Sequence, residues 1–329
     1  MRLIYDDVGS FPIPQGVEGK RFERAFLNSE EWALRVFNES MSMKIDAGVQ
    51  VPCYPQLRDM NDQFLEPLKD PEIVEEPYLI REEKAVIPEI VALENMNMNG
   101  RKIKMCITGP LELSIAEFGN EVYQDVMMNI ARSLNRFIKN AESIRDLDIG
   151  VVSIDEPSLG TNPNISVDEE MLIKAWDIAG ATEKDVQIHL HSPLPVENAC
   201  RSESIDVIDI GTAATPENLE MIDPEMLESY GKRLRAGISR SDISSLAAEF
   251  NEDRKVNVWT DKDAWEEFLT WVEPPRKISE RIGKAFDRFG DLLKYVGPDC
   301  GLKGARSRSL AHIILKNSSK GIDLFQKGN

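Results

Sequence analysis

Histidine is scarce in this chain of 329 residues: only His189, His191 and His312 occur, and two of them stand two positions apart. On an extended strand, residues i and i+2 point to the same face, so His189 and His191 are expected to project together. A thiolate from Cys300 at another strand's end could meet them, and a carboxylate from Asp209 could supply a further donor. Neutral imidazole with thiolate suits Zn²⁺. A plainer reading covers the same residues: a buried histidine pair hydrogen-bonded to carbonyls, with Cys300 packed as a small hydrophobe. A second polar concentration is Asp155-Glu156, directly after an apolar run ending at Ile154. Neighbouring strand residues face opposite sides, so one carboxylate enters a shared site more readily than the other. Asp155, on the face of Ser153, is expected to bind an ammonium group or act as acid or base, with Glu156 as the second catalytic candidate. A helix cap or a structural ion pair would account for this pair as well.

Such groups need elements to aim them. Short β-rich runs alternate with longer amphipathic stretches, the pattern of βα units on a parallel sheet. Eight strands are expected: Leu3 to Val8, Val49 to Cys53, Lys102 to Thr108, Gly150 to Ile154, Val186 to His191, Asp206 to Ile210, Leu234 to Ile238 and Leu293 to Val296. Helical periodicity marks Glu30 to Ala47, Asn120 to Leu147, Asp168 to Ala179, Pro216 to Tyr230, Asp263 to Trp271 and Lys277 to Phe289. Ser166 and Thr215 supply start signals for two of them. Eight strands with intervening helices in a chain of this length predict one α/β domain over residues 1–329, a (β/α)8 TIM barrel. No GxGxxG turn is present. The segment at about 54–90, rich in proline and acidic residues, reads as an excursion over one barrel mouth. In such barrels the chemistry sits at the C-terminal strand ends. There the sequence concentrates Gly9-Ser10, Cys53-Tyr54, Thr108-Gly109-Pro110, Asp155-Glu156, His189-Leu190-His191, Asp209, Ser239-Arg240 and Asp299-Cys300. Met41, Met43, Met127 and Met128 read as core filler.

Composition bounds the partners. Thirty-nine basic against 57 acidic residues leave a net charge of −18, which speaks against a nucleic-acid partner, because phosphate neutralisation needs a clustered basic surface. No run approaches the roughly 18 to 20 apolar residues of a membrane span, and MRLIYDDVGSFP lacks a signal peptide's apolar core, so no membrane partner and a cytoplasmic location are expected. The four cysteines show no CxxC pair and do not resemble a disulfide framework.

Strand end by strand end, the sequence resembles the catalytic C-terminal barrel of cobalamin-independent methionine synthase and its shorter single-barrel archaeal relatives. The resemblance covers nearly the whole chain. It rests on Val8-Gly9-Ser10-Phe11-Pro12, Arg58-Asp59-Met60, Thr108-Gly109-Pro110, Ile154-Asp155-Glu156-Pro157-Ser158-Leu159, Ile188-His189-Leu190-His191, Asp206-Val207-Ile208 and Pro298-Asp299-Cys300-Gly301-Leu302-Lys303. It implies a (β/α)8 barrel whose zinc binds a substrate thiol such as homocysteine and activates it toward a methyl group. It further implies His191 and Cys300 as zinc ligands, with Ser10 and Asp155 holding the amino-acid end of the acceptor. The chain departs from the family at several places. Pro193 stands where the family has a zinc-binding cysteine, and Gly211 where it has a glutamate ligand, which leaves Asp209 as the nearest carboxylate. Tyr54 stands near a glutamate that helps hold the acceptor, Ser239 near the catalytic histidine, and Ala116 near the aromatic residue that stacks on folate. The expected activity is therefore methyl transfer from a pterin or methylcorrinoid to a thiol, with a corrinoid protein as a candidate partner. The metal would be held by His189, His191, Cys300 and Asp209 or Cys53. A barrel that has lost zinc and acts on another small substrate, or a non-catalytic ligand- or partner-binding homologue, are the alternatives.

Overall fold

A computed structural model describes residues 3–96, 98 and 100–328. Its strands are β1 (Ile4–Tyr5), β2 (Val74–Glu76), β3 (Leu79–Ile80), β4 (Lys102–Thr108), β5 (Asp148–Asp155), β6 (Asp185–Leu190), β7 (Val207–Ile210), β8 (Arg233–Ser239) and β9 (Leu293–Pro298). Seven form one parallel sheet in the order β1-β9-β8-β7-β6-β5-β4, and β2 with β3 form a small antiparallel hairpin. The two edges of the large sheet are joined by segment 49–56, which pairs with both through the single bridges Asp6 to Val51, Ser10 to Gln56 and Cys53 to Lys104.

This second stave was expected as a continuous strand and is not one, for reasons visible in its residues. Pro52 and Pro55 have no N–H to donate to a ladder. The Cys53 N–H is diverted to Asp7 Oδ1 at 2.8 Å. What remains are scattered main-chain bonds: Gln50 N and Val51 N donate to Tyr5 O, Gln56 N to Gly9 O and Phe11 N to Gln56 O on one side, and Lys104 N to Pro52 O and Tyr54 N to Lys104 O on the other.

The helices follow their expected positions with instructive differences. Glu31–Asp46, Gln124–Glu142, Lys262–Trp271 and Pro275–Phe289 lie within a few residues of the periodic runs. Asp168, not Ser166, caps Glu169–Ala179, its carboxylate accepting the Met171 N–H at 2.9 Å. The stretch expected as one helix from Pro216 to Tyr230 is two, Glu217–Met221 and Pro224–Ser229. Pro224 cannot continue a helix but is suited to start one, and Asp223 caps it. The excursion after the second stave begins at the mouth, where Thr108 Oγ1 donates to Met60 O at 2.7 Å. Rather than staying over the mouth, it runs onto helix Gln124–Glu142, where Ile80 N donates to Ser133 Oγ and Asn140 donates to Ala85 O. Met41, Met127 and Met128 are buried in the core. No helix among the described residues is long and apolar enough to cross a membrane.

Strand alternation divides the barrel wall. Ile103, Met105, Ile107, Val152, Ile154, Ile188, Leu190, Ile208, Leu234 and Ile238 are buried in the main core, packed with the helices. The alternating positions line the interior, whose lower layer is the separate cluster of Val51, Val151, Val207 and Tyr295. Above it, the barrel is charged. Asp6 receives Arg235 Nε at 2.6 Å, Lys104 Nζ at 3.1 Å and Gln187 Nε2 at 3.0 Å. Lys104 also donates to Gln187 Oε1 at 2.6 Å. All four side chains are fully buried, and their two cations against one carboxylate are balanced by Asp209, which accepts Arg235 Nη1 at 2.6 Å. Burying ions is costly unless each is paired and hydrogen-bonded, a condition this layer meets.

Candidate metal centre at the barrel mouth

Register brings the polar strand ends together. Asp155 on β5 pairs with His189 on β6, His189 with Asp209 on β7, and Asp209 with Arg235 on β8. His189 and His191 do point the same way: their rings lie 5.2 Å apart, nearly perpendicular. Cys300, just past β9, completes the group, its Sγ 3.4 Å from His191 Nε2. One donor atom from each of His189, His191 and Cys300 lies within 4.8 Å of the others. His189 is buried, Cys300 half-buried and His191 exposed, so the cluster opens outward from a buried base.

Asp209 is in contact with this group but stands behind it. One of its oxygens accepts from Arg235 Nη1 at 2.6 Å, and the other lies 2.9 Å from His189 Nδ1. Burial opposes ionisation of Asp209, but Arg235 and then His189 outweigh it and hold the carboxyl well below its usual range. With both oxygens engaged, Asp209 holds the His189 ring and is not among the three clustered donors. A carboxylate at Nδ1 is the common arrangement behind a metal-binding histidine, because it sets the tautomer that leaves Nε2 with a free lone pair. His189 Nε2 is buried and has no hydrogen-bond partner. Burial also works against the Cys300 thiolate, yet the two imidazoles beside it prevail and bring its pKa down to about 6.

These observations fit a bound metal. A buried, unpartnered ring nitrogen costs about 1 to 3 kcal/mol unless something accepts its lone pair or takes its proton. Two imidazoles and one thiolate form a three-donor set that suits Zn²⁺ and leaves a coordination position open, the mark of catalytic zinc sites. Cys53 is buried on the second stave and is not among the three.

The loop carrying Cys300 is tightly held. Asp299 accepts the backbone N–H groups of Thr212, Ala213 and Ala214 at 2.8 to 2.9 Å, and its own N–H donates to Ser239 O. A Cβ at Gly237 would fall 2.0 Å from Asp299 Oδ1, so only glycine fits there. Asp299 drew no functional reading from the sequence, although three successive amides after a strand end could have suggested an acceptor. Ser10 reaches the same loop: its carbonyl accepts the Leu302 N–H at 2.8 Å, and its hydroxyl fills the space where Gly301 would carry a Cβ.

The remaining expected residues separate. Asp155 faces the interior, accepting from Ser153 Oγ and Cys106 Sγ, both at 2.9 Å. Glu156 is turned away from the mouth. Its carboxylate accepts the N–H groups of Leu111 and Glu112, capping helix Pro110–Phe118, and that of the Trp176 indole. Burial pushes its pKa up to about 8 against the pull of those donors. A Cβ at Gly109 would collide with the same carboxylate, which explains the Gly109-Pro110 turn. Tyr54 is buried on the second stave, donating to Cys106 O and accepting from Gln63 Nε2 at 3.0 Å.

No family model matches the chain. Among curated proteins, the chain is 25% identical to a methionine synthase of Saccharolobus solfataricus, over 97% of this chain and 94% of that protein. It is 23% identical to the 5-methyltetrahydropteroyltriglutamate–homocysteine methyltransferase of Mesembryanthemum crystallinum, over 90% of this chain and 39% of that protein. Among solved structures, the B12-independent methionine synthase from Shewanella sp. W3-18-1, in complex with selenomethionine, superimposes with a TM-score of 0.66 at 13% identity, over 100% of this chain and 99% of that one.

Proposed function

We propose that this chain, a member of the cobalamin-independent methionine synthase family, is a methyltransferase that moves a methyl group from a pterin to the sulfur of homocysteine or a closely related thiol. The observation that carries the reading is the convergence of His189, His191 and Cys300 at the barrel mouth, with His189 Nε2 buried and unpartnered. Zn²⁺ bound there would hold the substrate thiol as thiolate, the form that attacks a methyl carbon, whereas a free thiol with a pKa of about 8.5 is mostly protonated at neutral pH.

The chain's own residues do the rest. Asp209 fixes His189 through Nδ1, and Arg235 fixes Asp209. Asp299 holds the loop that presents Cys300. Asp155, turned into the barrel, is suited to receive the ammonium group of an amino-acid thiol, exchanging its present bond to Cys106 for a charged one. Ser10 lies against the Cys300 loop and lines the same end. Glu156 is spent on the helix cap and Tyr54 on internal hydrogen bonds, so neither is assigned a chemical step. A pterin is favoured over a corrinoid donor because one relative is named for a methylated pteroyl substrate and the structural neighbour for its independence of B12. No corrinoid protein is then required.

Elemental analysis of untagged protein tests this directly: about one equivalent of zinc is expected. Cys300→Ala should abolish metal uptake and leave the fold intact. Homocysteine at a hundred times its dissociation constant should stabilise the zinc-loaded protein by about 2.7 kcal/mol in thermal unfolding. Metal-free protein that takes up no Zn²⁺ on reconstitution would overturn the reading.

A further inference from the structure

Cations are the minority in a chain of net charge −18, yet helix Pro275–Phe289 carries five of them, Arg276, Lys277, Arg281, Lys284 and Arg288, against the two acids Glu280 and Asp287. Four of the five recur at i, i+4, i+7 and i+11, the spacing of a single helix face. That face is turned toward the segment after β7. At its far end Arg288 donates to the carbonyls of Glu220 and Ile222, both at 3.0 Å. The other three line a cavity of about 310 Å³ with Thr212, Ala213, Ala214 and Leu219, and Arg240, the residue after β8, is also in its wall. None of these side chains has a part in the methyl-transfer reading. The link to the metal centre is indirect: Asp299, which precedes Cys300, accepts the backbone N–H groups of Thr212, Ala213 and Ala214.

The charges in the wall are of two kinds. The half-buried arginines are matched and held in place. Arg240 forks onto Asp242 at 2.8 and 2.6 Å and meets Glu249 at 2.7 Å. Arg281 donates to Ile238 O at 3.0 Å and pairs with the buried Glu273. Glu280, the acid in the wall, is met by Arg276 at 3.2 Å. The carboxylate of Asp299 is taken up by the three amides. Lys277 and Lys284 are left over: both are exposed, and among the described residues neither ammonium group has a carboxylate or carbonyl partner. They stand two helical turns apart with Arg281 between them, and their flexible four-carbon stems let both ammonium groups reach into the same space.

We propose that this cavity binds a phosphate group, free or carried on a small metabolite. Two unmatched ammonium groups answer the charge of about −1.5 to −2 that a phosphate monoester carries near neutral pH. A compact anion with three acceptor oxygens lets both lysines converge on one point, and the charge-assisted hydrogen bonds cost no existing ion pair. The volume exceeds what phosphate alone fills, and Ala213 and Leu219 offer apolar surface to an organic portion. The site does not depend on the methyl-transfer reading. Because residues 212–214 both line it and hold Asp299, a ligand there touches the segment that braces the Cys300 loop and leaves the three metal donors uncovered.

The test is titration calorimetry and thermal unfolding of the full zinc-loaded chain with inorganic phosphate and with glycerol phosphate, at constant ionic strength. A dissociation constant of about 1 mM or below is expected for at least one of them. Lys277→Gln and Lys284→Gln should each weaken it about fivefold, while Lys320→Gln, at an exposed lysine of helix Arg308–Gly328, should change it less than about twofold. Tighter binding of glycerol phosphate identifies the ligand as a phosphate monoester, and equal binding identifies it as the free ion. Binding that both lysine variants keep places the anion elsewhere, the zinc included, and overturns the proposal. So does the absence of both heat and stabilisation up to about 10 mM of either compound. Succinate bound as tightly as phosphate overturns phosphate as the chemical class.

Discussion

The charged layer inside the barrel and the cluster at its mouth are built from similar materials and differ in one respect. In the layer, Asp6, Lys104, Gln187 and Arg235 exchange hydrogen bonds among themselves and shield one another from a dry interior. At the mouth, a few ångströms along the same strands, His189 is gripped through Nδ1 and left open at Nε2. Asp209 belongs to both, since Arg235 holds one of its oxygens and His189 the other. In these two regions, saturation goes with the polar groups that serve the fold, and the open Nε2 of His189 with the group placed beside His191 and Cys300. The distinction is more informative than residue type, because Asp209 touches both regions and is itself saturated.

The largest effect should come from breaking the saturated side. Arg235→Met leaves Asp6 and Asp209 without their shared cation, and removing one partner of a buried pair costs about 3 to 5 kcal/mol. Urea unfolding would show it, and a loss below about 1 kcal/mol would erase the contrast drawn here. Next is the link between the two regions. Asp209→Asn should weaken zinc binding by about ten- to a hundredfold, as loss of an outer-shell partner does elsewhere. Competition with a chromophoric chelator measures this without any assay of activity, and unchanged affinity in a folded variant would detach Asp209 from the metal centre.

The smallest effect sharpens the boundary. Glu156→Gln should cost only about 1 kcal/mol near pH 5 and leave zinc affinity alone, since one amide donor loses its acceptor. Its pH dependence carries a sign. The folded carboxyl titrates at about 8 and the ordinary value is 4.5, so the folded state holds a proton that the unfolded chain has released. Stability from this group is full below about 4.5 and is lost as pH rises through about 8. Glutamine cannot ionise, so the variant's deficit should shrink with rising pH. A deficit that grows instead would mean that the three donors keep Glu156 ionised.

Much of this was legible beforehand, and the limits are physical. Strand positions and the His189, His191 and Cys300 grouping follow from period-two alternation and from the habit of barrels to place chemistry at strand ends. The charged layer was missed because Lys104, Gln187 and Arg235 each sit singly within apolar runs, and only closure of the ring makes them neighbours. A Lys-x-Cys-x-Thr alternation in β4 was the available signal. The role of Asp209 depends on register, since pairing opposite His189 puts its carboxylate behind the ring, not beside the metal donors. Alternation puts Asp155 and Glu156 on opposite faces, but what Glu156 faces is set by a helix packed from outside.

One consequence lies in the order of synthesis. Segment 49–56 covers one side of β1, with Gln50 N and Val51 N donating to Tyr5 O, but the ladder on its other side is β9, with Ile4 paired to Tyr295. During translation the ring therefore stays open on the β9 side of β1 until residues 293–298 have left the ribosome. Cys300 arrives with that last strand. The three donors cannot meet on a partial chain, so a metal held by all of them would bind only once the ring has closed.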